Sequence, residues 1–174
     1  LYYGEEIGMT GVKPDPDLRT PMQWTADPER TGFTTGTPWR DVNGDTETVN
    51  VEAQKADPGS LWNHYKNMVE LRLDTPALRR GETAVLETSD PALLAFTRTL
   101  DDDTVLVLAN VGDRPVRSFE IESPVFEPDR VVRTEVLDGG GRGRAKRTGE
   151  EGRIDGWQPV SRIGPRRVVV LRVN

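Results

Sequence analysis

The chain has 174 residues, 34% hydrophobic and 30% charged, and carries a net charge of −6. That length fits one ordinary domain, or one domain and a piece of another, and the acidic balance excludes a nucleic-acid partner held by a basic face. No apolar run approaches the roughly 18 residues of a membrane span, and the lack of cysteine excludes a disulfide framework or thiolate metal site while leaving localisation undetermined.

Leu1, Tyr2 and Tyr3 predict a short strand that ends at Gly4. Glu5 and Glu6 follow, then a loop with Gly11, Pro14 and Pro16, then Arg19-Thr20-Pro21-Met22-Gln23-Trp24. A strand that hands over through Gly to acids, an arginine and an aromatic suits a polar pocket at the carboxyl end of an α/β-barrel strand. A wet turn before a proline-punctuated loop is the plainer alternative. A start inside an apolar run reads as an excised C-terminal portion of a longer enzyme, so the missing targeting segment carries no information.

Residues 25–59 read as loop, with two Asp-Pro pairs and few apolar residues at helical spacing. Phe33, Trp39 and Val51 are expected to anchor that loop on the outer face of a barrel. Asp41, Asn43, Asp45 and Glu47 alternate as in a calcium loop, but the Gly falls at 44 and no bidentate Glu follows at the right spacing, so an Asn-Gly turn is expected and no metal. Ser60 then caps a predicted helix that must end before Pro76. Its apolar stripe is Leu61, Tyr65, Met68, Val69 and the stem of Arg72, widened by Trp62 and Leu73. His64, the single histidine, has no carboxylate near it in sequence and is expected on the helix surface.

After Gly81 the apolar period shifts from about 3.6 to about 2. Thr83–Glu87, Leu93–Leu100, Thr104–Asn110, Val116–Ile121, Val131–Leu137 and Arg167–Val173 predict strands of an antiparallel all-β module, with a weaker strand region around Ile154, Trp157 and Ile163. Asp101-Asp102-Asp103 reads as a hairpin turn, and the glycine- and arginine-rich stretch 138–147 as a flexible basic loop. The continuous run Val168–Leu171 suits a strand buried between two sheets. The domain boundary is expected near residues 78–81.

YYGEEIGM, RTPMQW, Gly32-Phe33 and Pro38-Trp39, continued by Asn50-Val51, Gln54, Tyr65, Leu71-Arg72 and Pro76-Ala77-Leu78, resemble the α-amylase family of glycoside hydrolases. The likeness is to the branch of oligo-1,6-glucosidases, other α-glucosidases, trehalose synthases and intermediate α-amylases. It implies that residues 1–80 end a (β/α)8 barrel with its last strand, long loop and final helix, and that residues 81–174 form a β-sandwich C-terminal domain. It also implies an α-glucan or oligosaccharide substrate, a retaining mechanism, no cofactor, and the N-terminal barrel of the same chain as partner.

Retaining hydrolysis needs two carboxyl groups about 5 to 5.5 Å apart across the sugar. Glu5 and Glu6, as neighbours on an extended chain, would point to opposite sides and cannot be that pair. The motifs that carry the family's catalytic acids do not occur here, so the chain alone is expected to be inactive. The resemblance puts Arg19 on the glucose at subsite −1, where a guanidinium fork can hold a hydroxyl and a carboxylate together. It points to Glu5 at subsite +1, with Glu6 as second choice. Trp24 is expected to pack under Arg19, with stacking on a sugar as the alternative. The short loop between Gly11 and Arg19 would leave the acceptor side open to longer maltooligosaccharides. Other classes remain: a non-catalytic scaffold on the same fold, or a starch-binding module in residues 81–174, against which the buried alternation of Phe96, Phe119, Phe126 and Trp157 counts.

Overall fold

Alternation along Leu93, Ala95 and Thr97 drives one face of a strand inward, and the computed structural model, which describes all 174 residues, has that strand. The chain divides into two compact units, Leu1–Glu70 and Leu71–Asn174.

The second unit is a twisted antiparallel sheet with a cover on each face. Strands β1 (Glu82–Leu86), β2 (Leu93–Leu100), β3 (Asp103–Asn110), β5 (Thr134–Asp138) and β7 (Arg167–Val173) pair in the order β1-β2-β3-β7-β5. β4 (Val131–Val132) and β6 (Lys146–Arg147) form a separate pair. One face of the large sheet gives Ala95, Leu106, Leu108, Val169 and Leu171 to the main core, which the opposite layer completes with Phe119, Ile121, Ile154, Trp157 and Ile163. The other face gives Val105, Val107 and Val170, covered by Ala77 and Leu78 of the helix α3 (Pro76–Arg80). The continuous apolar runs of β3 and β7 therefore face a β layer on one side and a helix on the other, not two sheets.

Two predicted strands are broken, each for a visible reason. Residues 131–138 switch partners at Arg133: Val131 and Val132 pair with β6, whereas Thr134 onward pairs with β7. A bulge at Leu137 follows, and Gly139 at φ 91 turns the chain where a Cβ would meet the Val168 carbonyl oxygen at 2.2 Å. In Val116–Ile121 the buried residues are 116, 119 and 121, a spacing that no flat strand can bury on one face. That stretch keeps only isolated bridges, Val116 to Ile163 and Ile121 to Trp157, and the expected strand region around Ile154–Ile163 is likewise bridges alone. Asp101-Asp102 is the expected hairpin turn, with Asp101 at φ 51 and the Asp103 carboxylate accepting from Arg172 at 2.9 Å.

The first unit has no sheet. Leu1–Tyr3 is not a strand, since no neighbouring strand is present to take its backbone groups, and Leu1 and Tyr2 are exposed. Within the stretch expected to be loop lies a helix, α1 (Val51–Ala56), capped by Asn50, whose Oδ1 accepts the Ala53 N–H at 2.7 Å. Helix α2 (Leu61–Asp74) starts where expected, with the Ser60 hydroxyl accepting the Asn63 N–H at 3.2 Å. Its apolar stripe is not core, however: no residue of α2 is buried, and Leu61, Val69, Leu73 and Arg72 are exposed. The core of this unit is small, Ile7, Met22 and Val51, with Met9, Val49 and Trp62 packed against it.

Candidate functional site: a cleft in the first unit

Glu5–Ile7 is a single 3₁₀ turn held between Gly4 at φ 86 and Gly8 at φ 76. Gly4 is required there, because a Cβ would also strike the Met9 sulfur at 2.7 Å. Ile7 drops into the core, and its carbonyl accepts Gln54 Nε2 at 2.7 Å while Gln54 Oε1 takes the Trp62 N–H at 3.1 Å. The turn is thus fixed from below. In a 3₁₀ turn successive side chains diverge by about 120° rather than alternating. Glu5 swings back to accept the Tyr2 N–H at 3.1 Å, and Glu6 faces the cleft.

Residues Thr20–Trp24 belong to no helix or strand, so their backbone groups find partners elsewhere. Tyr3 donates its phenol proton to the Thr20 carbonyl at 3.0 Å. Thr31, fully buried at φ 53, donates its hydroxyl to the Met22 carbonyl at 3.0 Å, and its own carbonyl accepts from Trp24 N–H at 2.9 Å. The carbonyls of Gln23 and Trp24 accept the Val51 and Glu52 N–H groups, both at 3.0 Å, satisfying the open N-terminus of α1. The fully buried Gln23 side chain ties the segment sideways: Nε2 donates to Asp45 at 3.0 Å and to the Val49 carbonyl at 2.6 Å, while Oε1 accepts from Asn43 at 3.1 Å. Asn43 and Asp45, two of the four residues that alternate as in a calcium loop, are thus engaged in this network.

Above this frame opens a cleft of about 380 Å³. Glu6 and Arg19 supply its charge, and Tyr3, Trp24, Phe33 and Trp39 its aromatic surface. A largely apolar cleft with a few convergent polar groups is the usual form of a small-molecule site. A second 3₁₀ turn, Asp15–Leu18, braces it: Asp15 pairs with Arg19 at 2.9 Å and Asp17 with Arg40 at 3.4 Å. Both pairs are solvent-exposed, so they orient rather than stabilise. The Arg40 guanidinium lies over the Trp39 ring, 5.7 Å from its centroid. Burial, first, and the neighbouring Tyr2, second, push the Tyr3 phenol above its ordinary range, with Arg19 acting in the opposite direction.

Of the residues singled out in the sequence, Glu6, Arg19 and Trp24 meet at this cleft, and Glu5 is not among those lining it. Trp24 is 48% exposed rather than packed away. Phe33 and Trp39, expected as anchors, are instead exposed at 49% and 59% and line the cleft. Their one sequence signal is position: aromatics in a Gly- and Pro-rich loop without apolar partners at regular spacing. Glu6 is the single carboxylate of the lining, so the cleft holds no second acid for a retaining pair. In residues 81–174 none of the four aromatics, Phe96, Phe119, Phe126 and Trp157, is exposed.

The family of α-amylase catalytic domains matches residues 1–81. The chain is 33% identical over 129 residues to alpha-amylase 3 of Dictyoglomus thermophilum, covering 74% of this chain and 26% of that protein. It is 31% identical over 170 residues to an oligo-1,6-glucosidase of Parageobacillus thermoglucosidasius, covering 76% and 29%. The trehalose synthase/amylase of Mycobacterium tuberculosis is 40% identical over 128 residues, covering 66% and 21%. Among solved structures, the trehalulose synthase of Pseudomonas mesoacidophila MX-45 superposes with a TM-score of 0.64 at 28% identity, covering 91% of this chain and 26% of that one. The chain thus spans between a fifth and three-tenths of the length of these relatives. With the motifs of residues 1–81 matched and the β-rich remainder aligned to the same kind of protein, the chain belongs to the α-amylase family of glycoside hydrolases.

Proposed function

We propose that this chain is the C-terminal part of an enzyme that cleaves or transfers α-linked glucosides with retention, and that its cleft is the sugar-facing rim of the site. Residues 1–80 end the catalytic barrel, and residues 81–174 are a structural β-sandwich. The observation that carries this reading is the convergence of Glu6 and Arg19 with aromatic side chains in one cleft. Arg19 holds the hydroxyls of the glucose whose bond breaks, its fork kept in place by Asp15. Glu6, rather than Glu5, takes the hydroxyls of the neighbouring sugar. A pair of carboxyls about 5 to 5.5 Å apart must come from outside these 174 residues, so the chain alone does not turn over substrate. The similarity to an alpha-amylase and to an oligo-1,6-glucosidase supports the substrate class.

The test follows the anomeric proton of the product by NMR. The complete protein that contains this chain should release an α-configured product from maltose, isomaltose or starch, and the 174-residue chain should release none. Turnover by the chain alone, an inverted product, or an inert complete protein would each overturn the reading.

A further inference from the structure

We infer that Trp39 is a specificity-determining wall of the cleft, which takes the apolar face of a pyranose ring and is held in register by the pair Asp17–Arg40. This rests on the reading of the cleft as an α-glucoside site. Trp39 is 59% exposed, in a loop with no helix or strand around it, yet it is not free. Arg40 covers part of its ring at 5.7 Å, and Asp17 fixes Arg40 at 3.4 Å. Asp17 belongs to the same short turn as Asp15, the partner of Arg19. The turn therefore sets the aromatic wall and the cationic group at once.

The chemistry of the lining selects the ligand class. An extended apolar ligand would leave Glu6 and Arg19 without partners, and an anion would meet Glu6. A sugar ring fits both requirements, since its hydroxyl rim can bond a carboxylate and a guanidinium. Its axial C–H face, slightly positive, suits the negative face of an indole. A guanidinium on one side of the ring also spares the entropy of fixing it when the ligand arrives.

Labelling the indole nitrogens of the four tryptophans lets the full chain report on this directly. Titration with maltose, and separately isomaltose, should shift the Trp39 and Trp24 indole signals. Those of Trp62, packed on the first unit's core, and Trp157, buried in the second, should stay still and certify the fold. Trp39→Ala should weaken binding about three- to tenfold, Trp39→Phe should restore most of it, and Arg40→Ala should fall between. In the complete protein Trp39→Ala should raise KM more than it lowers kcat. Sugar binding that shifts Trp24 alone, or that is untouched by Trp39→Ala, overturns the wall and leaves the proposed function standing. No indole shift with either sugar, while the complete protein still turns them over, also overturns the wall alone. An inert complete protein overturns the function itself.

Discussion

Replacing Gln23 by Leu isolates what holds the cleft together. Leu nearly matches the shape of Gln but removes two donated bonds, to Asp45 and Val49, and the one accepted from Asn43. Gln23 is fully buried, so water cannot replace those bonds at its own end. Each is worth about 1 kcal/mol net, so the change should cost about 3 kcal/mol in all. With a urea slope of about 1.5 kcal/mol per molar for a unit of this size, the unfolding midpoint should fall by about 2 M. The Trp62 indole signal, which sits on the core beside Met22, reports the first unit specifically. Gln23→Glu should be worse still, because it sets a carboxylate against Asp45 where Gln23 donates. A midpoint shift under about 0.5 M for Gln23→Leu would refute the reasoning, since it would put the network below the worth of a single bond.

Trp157 is 1% exposed and meets Phe126 edge-on at 6.1 Å, so Trp157→Ala should cost the second unit about 3 to 5 kcal/mol, read from its urea unfolding curve; a loss under about 1 kcal/mol would contradict its central place in the core. In an ultraviolet difference titration of the three tyrosines, one phenol should ionise late, above the usual value of about 10, and Tyr3→Phe should remove that late phase. The sign follows from a raised folded-state pKa: the stability tied to the neutral Tyr3 phenol and its bond to Thr20 is fully present below the unfolded value and is lost as pH rises through the folded one.

Sequence patterns revealed the elements whose stability is local or whose alternation is strict. β2 and β7 have the expected bounds because Leu93–Leu100 alternates and Arg167–Val173 is almost wholly β-branched or apolar. The start of α2 was legible through Ser60, and its end through Pro76. By contrast α1 is six residues with one buried, and it stands because the carbonyls of Gln23 and Trp24 receive its first N–H groups from far along the chain. No local pattern encodes that. At the site, Glu6, Arg19 and Trp24 of the motifs line the cleft whereas Glu5 turns back to the Tyr2 N–H, an arrangement set by a 3₁₀ turn that the run of apolar residues before it does not encode. Phe33 and Trp39 reach the cleft through loop geometry, which periodicity does not describe.

Helix α2 leaves one more consequence. Its first turn packs through Trp62 against the small core of the first unit, and Tyr65 and Met68 in its middle are only half-buried. Fourteen residues with none fully buried are at the edge of what propensity sustains in water, and the exposed Lys66–Glu70 pair at 3.7 Å adds little. The backbone around Lys66 is therefore the cheapest place in the helix to unwind, and within α2 the peptide bond after Lys66 is where a trypsin-like protease would cut.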